Sequence, residues 1–91
     1  MKATKIRMKY GCQNSDDVLE ISQIYIEGCT NPNWYDKATI HDYLVKNPGS
    51  IYVNISPYPN LVPAKSVYGE KYVKSESNNT TKDNLLKLPR D

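Results

Sequence analysis

Apolar and polar residues alternate from Thr4 to Tyr10. Ile6, Met8 and Tyr10 fall on one side and Lys5, Arg7 and Lys9 on the other, which predicts a strand with one buried face. Gly11 to Asp17 is dense in Gly, Asn, Ser and Asp and reads as a turn. Val18 to Glu27 predicts a second strand whose alternation slips: Leu19 and Ile21 share one face, Ile24 and Ile26 the other. A bulge near Ser22-Gln23 restores a single apolar face. Gly28 to Tyr35 reads as a loop around Asn31-Pro32-Asn33. Asp36 is placed to cap a helix over Lys37 to Lys46, with Tyr35 and Ile40 spaced for a hydrophobic staple. Ile40, Tyr43 and Leu44 give that helix one narrow apolar stripe, and Asn47-Pro48-Gly49 ends it.

Ile51, Val53 and Ile55 alternate with Tyr52, Asn54 and Ser56 as a third strand, and Pro57-Tyr58-Pro59-Asn60 is a stiff turn. Val62 to Val73 contains Pro63 and Gly69 and reads as two short strands or one broken edge strand. Residues 75–82 form a polar loop, and 83–91 a C-terminal tail that Leu85, Leu86 and Leu88 would dock onto the core. The order β-β-α-β-β predicts an α+β domain spanning 1–91: a small curved antiparallel sheet with one helix packed on it. A half-open small barrel is the close variant.

Ninety-one residues suffice for one thin core, since a chain this short buries only roughly 60–65% of its unfolded surface. The absence of a long apolar run predicts no membrane span, and the N-terminus lacks the apolar stretch of a signal peptide, so a cytoplasmic location is expected. The net charge of +2 is unevenly spread. Lys2, Lys5, Arg7 and Lys9 make the first ten residues +4, residues 11–45 sum to −5 and the rest to +3. Such a mixed surface differs from the basic stripe of a dedicated nucleic-acid binder. Eight tyrosines and one tryptophan stand beside no phenylalanine. Tyrosine is favoured where one end of a ring stays wet, at surfaces and interfaces, and it is also a plain strand former. More ring surface than so small a core can bury predicts a homo-oligomer, with the broken strand around Pro63 to Val73 as the pairing edge.

Catalytic constellations are sparse. His41 is the single histidine and is expected toward the solvent edge of the helix stripe. Cys12 and Cys29 lie in turn-like surroundings at the two ends of the first hairpin and read as free thiols, close enough in space to pair in an oxidising buffer. Two cysteines and one histidine fall short of a zinc site, and no phosphate loop or dinucleotide fingerprint is present. No metal, cofactor or catalytic residue is therefore expected; a cysteine-dependent enzyme would require a thiol activated by a neighbouring base.

Binding residues are easier to find. Lys5, Arg7 and Lys9, two apart on a strand, stand about 7 Å from one another, near the spacing of backbone phosphates. Lys65, Lys71 and Lys74 interleave with Tyr68 and Tyr72, and cations beside rings suit an anionic, ring-bearing ligand. Trp34 and Tyr35 precede the helix N-terminus, where backbone N–H groups favour anions, and Tyr58 tips a rigid turn. The plainer reading of each is a solvated strand face, an edge lysine or a lid over the core.

Ile6-Arg7-Met8, Ile21 to Ile26, the helix around Ile40 and Leu44, Ile51-Tyr52-Val53, Tyr72-Val73-Lys74 and Asp83-Asn84-Leu85-Leu86-Lys87-Leu88-Pro89 form a set of segments along the chain. Together they resemble a small bacterial and phage family, domain of unknown function 3892. The resemblance implies a small domain of unassigned activity and carries over no catalytic residue. Tyr10-Gly11-Cys12-Gln13-Asn14 stands where the family has a glycine-rich turn. Residues and resemblance together predict a small phage- or prophage-encoded binding protein that sequesters a nucleotide-like anion or blocks a host protein. The alternative is a nucleic-acid-binding accessory domain on the Lys5/Arg7/Lys9 face. Ionic strength separates the two, because phosphate-backbone binding weakens steeply with salt.

Overall fold

A computed structural model describes residues 1–76 and 83–91. Most of the predicted polar loop, residues 77–82, lies outside the described residues. Six strands and one helix follow in chain order: β1 (Lys2–Met8), β2 (Ile21–Glu27), β3 (Asn33–Asp36), α1 (Lys37–Lys46), β4 (Tyr52–Val53), β5 (Leu61–Lys65) and β6 (Lys71–Ser75). Short 3-10 turns occupy Val18–Glu20 and Asn84–Lys87.

The class is α+β, but the sheet is not the single antiparallel one expected. Four strands in the order β3-β2-β1-β4 form a mixed sheet that does not close into a barrel, and β5 and β6 form a separate two-stranded sheet. β4 lies parallel to β1 through Lys2↔Tyr52 and Ala3↔Val53. It is only two residues long because the chain turns at once, with Ile55 N–H donating to Val53 O and Tyr58 N–H to Ile55 O. Beyond β4 the last residues take over the same edge of β1. Ile6 N–H donates to Pro89 O at 2.9 Å, and Asp91 N–H to Ile6 O at 3.0 Å.

Two bulges set which side chains face inward. Thr4 is the extra residue between the Ala3↔Ile26 and Lys5↔Tyr25 pairs, and Ser22 the extra one between Arg7↔Gln23 and Met8↔Ile21. Ser22 Oγ donates to Arg7 O at 3.0 Å and so fills the gap its bulge leaves. Because of Ser22, Ile21 and Ile24 both point into the core despite standing three apart, which accounts for the slip in alternation.

The beginning of the chain corrects two expectations. The first strand ends at Met8, and a turn closed by Cys12 N–H to Lys9 O throws Tyr10 fully into solvent instead of onto the apolar face. Val18–Glu20 is a 3-10 turn capped by the Asp17 carboxylate on Leu19 N–H, so β2 starts three residues later than its pattern implied.

Helix α1 has the predicted bounds, but its buried stripe is Lys37, Ile40, His41 and Leu44. That set repeats at i, i+3, i+4 and i+7. Tyr43, expected in the stripe, is 42% exposed, and His41, expected toward the stripe's solvent edge, is buried. The reason is packing on two sides, since α1 touches β2 and β3 of the sheet and also both strands of the β5–β6 hairpin. Asp36 caps in extended backbone without a side-chain cap bond, because its carboxylate accepts from Gln23 Nε2 at 2.9 Å. One continuous core joins Ile6, Ile24 and Ile26 of the sheet, Ile40 and Leu44 of the helix, Leu61 and Val73 of the hairpin, and Leu85, Leu86 and Leu88.

Among the described residues no helix is long and apolar enough to cross a membrane.

Candidate functional site

The outer face of the sheet is built from rows of side chains across the strands. Pairing sets Lys5, Tyr25 and Trp34 in one row and Arg7, Gln23 and Asp36 in the next. Lys5 Nζ lies 5.1 Å from the centre of the Tyr25 ring. Arg7 crosses diagonally, its guanidinium carbon 4.1 Å from the centre of the Trp34 ring, and Tyr25 meets Trp34 edge-on at 5.5 Å. The guanidinium is fixed at both ends: Nη1 donates to Gln23 Oε1 at 2.9 Å and Nη2 to Asp91 Oδ2 at 2.7 Å. Cation–ring contacts at such exposed positions contribute about 0.5–1 kcal/mol each, but two in sequence with a pinned guanidinium hold the rings in one orientation.

The face extends toward β4. Ala3 and Val53 are buried, so Lys2 and Tyr52 turn outward, and Tyr58 meets Tyr52 edge-on at 6.1 Å. Four rings thus flank a line of cations on β1: Tyr52 and Tyr58 at one edge, Tyr25 and Trp34 at the other. Among the described residues Lys2 and Lys5 make no ion pair.

Residues expected to act together are otherwise dispersed. Lys9 leaves the row, past the end of β1, and pairs with Glu70 at 3.0 Å. Glu70 also accepts from Lys37, whose Nζ donates to Leu19 O as well. Hydrogen bonds from Lys37 and Lys9 hold the Glu70 carboxyl below its ordinary value, and the bond to Glu70 raises Lys9. Burial wins over the same partner at Lys37 and pushes that ammonium down.

Trp34 and Tyr35 do not frame one ligand at the helix start. Asn33–Asp36 is an edge strand rather than loop, so its alternation sends Trp34 to the outer face and Tyr35 inward opposite Ile24. Tyr35 there lines an apolar cavity of about 340 Å³ with Ile26, Cys29, Ile40 and Ile51. On the hairpin, Lys71 reaches Asp42 of α1 at 2.9 Å, Tyr72 is half-buried, Lys74 is exposed, and Tyr68 stands free at the tip.

The two thiols lie at opposite ends of β2 and do not approach each other: Cys12 packs by Glu20 before the strand, and Cys29 follows its far end. Cys12 Sγ donates to Glu20 Oε2 at 2.9 Å, which raises the thiol, while bonds from Cys12 and Ser15 lower the carboxyl. A raised thiol is a poor nucleophile at neutral pH. His41 Nδ1 sits 3.0 Å from Asp42 Oδ1 on the hairpin side of α1, whereas Cys29 opens into the apolar cavity, so thiol and imidazole do not share a site. No group of three or more His, Cys, Asp or Glu able to hold a metal occurs among the described residues.

The carboxyl shifts predict the acid limb of stability. Glu70, Glu20 and Asp42 all titrate lower in the folded chain than their ordinary values of 4.5, 4.5 and 3.8. A depressed carboxyl stabilises fully above its unfolded value, and that contribution disappears as pH falls through the folded one. The melting temperature should therefore hold steady down to about pH 5 and fall below about 4.5. Glu70→Gln should shallow that fall, and an unchanged acid limb in the variant would contradict the Lys37–Glu70–Lys9 assignment.

Of the residues on this face, the sequence singles out Lys5, Arg7, Trp34 and Tyr58, and not Tyr25, Tyr52 or Lys2. Tyr25 carried a signal, since it lies between two apolar neighbours, Ile24 and Ile26, that face inward. No curated protein and no solved structure matches the chain. A family model described as "Protein of unknown function (DUF3892)" matches residues 2–89, from the first residue of β1 through the leucines of the C-terminal segment, and the chain belongs to that family.

Proposed function

We propose that this chain is a non-catalytic binding module whose outer sheet face takes a single-stranded nucleic acid. The observation that carries the reading is the array Lys5–Tyr25–Trp34–Arg7, two rings meeting edge-on at 5.5 Å with a cation over each, Lys5 at 5.1 Å from Tyr25 and Arg7 at 4.1 Å from Trp34. A base stacks on an aromatic ring or on a guanidinium plane irrespective of its identity, while lysines beside the ring meet the phosphates. An open sheet face favours an extended polymer over a free nucleotide, because small ligands are held in concave sites that bury most of their surface. Tyr52 and Tyr58 supply a second stacking position beyond Lys2, so a strand of several nucleotides would cross the sheet from β3 to β4. Asp36 and Asp91 place negative charge at one rim, which keeps non-specific duplex binding weak and leaves stacking as the main contribution.

The test is the salt dependence of affinity for a fluorescein-labelled oligothymidylate, read by anisotropy. Lys2, Lys5 and Arg7 amount to two or three phosphate contacts, for which the single-strand slope is roughly −0.7 per contact. Affinity should fall about ten-fold between 50 and 200 mM salt. No binding at 100 µM protein and low salt would overturn the reading.

A further inference from the structure

A second cationic site lies on the other side of the molecule, between α1 and the β5–β6 hairpin. Lys65 and Lys71 are direct cross-strand partners in that hairpin. Like charges directly opposite one another on a sheet are destabilising. Asp42 of α1 relieves one of the two, its carboxylate accepting from Lys71 Nζ at 2.9 and 3.3 Å. Lys65 is left without an ion pair among the described residues, as is Lys46 at the end of α1. All three lysines line a groove of about 650 Å³ whose apolar wall is Val45 and Pro63, with buried His41 at its base. His41 Nδ1 lies 3.0 Å from the Asp42 carboxylate and helps to fix it in place. The groove therefore carries three cations against one anion that is already engaged.

Local structure accounts for only part of this. Lys46 sits in the last turn of α1, where a cation is favourable against the helix dipole. Nothing comparable offsets Lys65, which pairs across the hairpin with Lys71. An anion between the two elements would neutralise Lys46 and Lys65 together.

We propose that this groove binds the di- or triphosphate group of a small molecule, with Lys46, Lys65 and Lys71 as its cations and Val45 and Pro63 as the surface for a ring. The proposal does not depend on the nucleic-acid reading, since the groove and the sheet face share no residue. The phosphate group could belong to free polyphosphate or to a nucleoside polyphosphate, and the two are distinguished by what the apolar wall contributes.

The experiment titrates the 15N-labelled chain with sodium pyrophosphate and, separately, with ADP, at constant ionic strength. Saturable amide shifts are expected in residues 41–46, 63–65 and 71, with none at the Trp34 indole. Tighter binding of ADP assigns a ring to the Val45–Pro63 wall, and equal affinity assigns free phosphate; both support the site. Lys46→Gln and Lys65→Gln should each weaken binding about five-fold, the effect of losing one charge contact in a water-exposed site. Both variants remove exposed side chains, and Lys65→Gln also relieves the repulsion with Lys71, so folding should be retained. Trp34→Ala should leave pyrophosphate affinity unchanged, which separates failure here from failure of the sheet-face reading. Absence of saturable shifts up to 10 mM of either ligand, or shifts that survive both glutamine variants, would overturn the proposal.

Discussion

Removing residues 83–91 should abolish cooperative unfolding at 25 °C. Leu85, Leu86 and Leu88 are 0%, 4% and 3% exposed and belong to the single core. Truncating one buried leucine costs about 2–5 kcal/mol, and a chain of this size has only about 5–14 kcal/mol in total. The deletion also strips the edge of β1, because the Ile6 backbone exchanges two hydrogen bonds with Pro89 and Asp91. Asp83 contributes further: its carboxylate accepts from Ser75 N–H, Ser75 Oγ and Leu85 N–H, joining the end of β6 to the last 3-10 turn. Leu85→Ala is the graded version. It should lower stability by about 2–5 kcal/mol while keeping the fold, seen as a lower urea midpoint at unchanged slope. Equal midpoints for Leu85→Ala and the parent chain would mean that this segment lies on the core without being part of it. The Arg7–Asp91 pair is not the reason for the loss, since both side chains are well exposed and such pairs contribute at most about 1 kcal/mol.

Local chemistry was legible where one element decides it. The bounds of α1 follow from Asp36 before it and Asn47-Pro48 after it, and Asn47 closes the last turn with its N–H on Tyr43 O at 2.9 Å. The bulge at Ser22 was written into the spacing of Ile21, Ile24 and Ile26. What escaped depends on partners distant in sequence. Asn33–Asp36 has aromatic residues on both faces and so shows no alternation, and it becomes a strand through pairing with Gln23 to Ile26. His41 falls toward the solvent edge of a helix packed on one side only, and it is buried because the hairpin supplies α1 with a second packing surface. The parallel β1–β4 pair joins residues about fifty apart, which no periodicity reveals. The site divides in the same way. Lys5 and Arg7 were readable as one face of a strand, but their rings come from β2 and β3 in a register fixed by the bulges at Thr4 and Ser22. Lys71, Tyr72 and Tyr68 share a stretch of sequence and yet face the helix, the outside of the hairpin and its tip.

Trp34→Ala should weaken oligonucleotide binding by about 1–3 kcal/mol, roughly 5- to 150-fold in Kd, the contribution of one base–ring stack. Arg7→Gln should cost a comparable amount, because the guanidinium both offers a stacking plane and lies 4.1 Å over the indole. The two losses should not add in the double variant, since each residue holds the other in place. Both side chains lie on the outer face, away from the core cluster, so the variants should keep the fold, with melting temperatures within a few degrees of the parent. Trp34 is the single tryptophan, so its indole N–H gives one resolved signal. Titrating the 15N-labelled chain with an eight-nucleotide oligothymidylate should move that signal to saturation, together with the amides of Lys5, Arg7, Gln23 and Tyr25, and leave Val45 on α1 unmoved. An indole signal that stays in place while the oligonucleotide binds, or perturbations confined to α1 and the hairpin, would contradict the assignment of the sheet face.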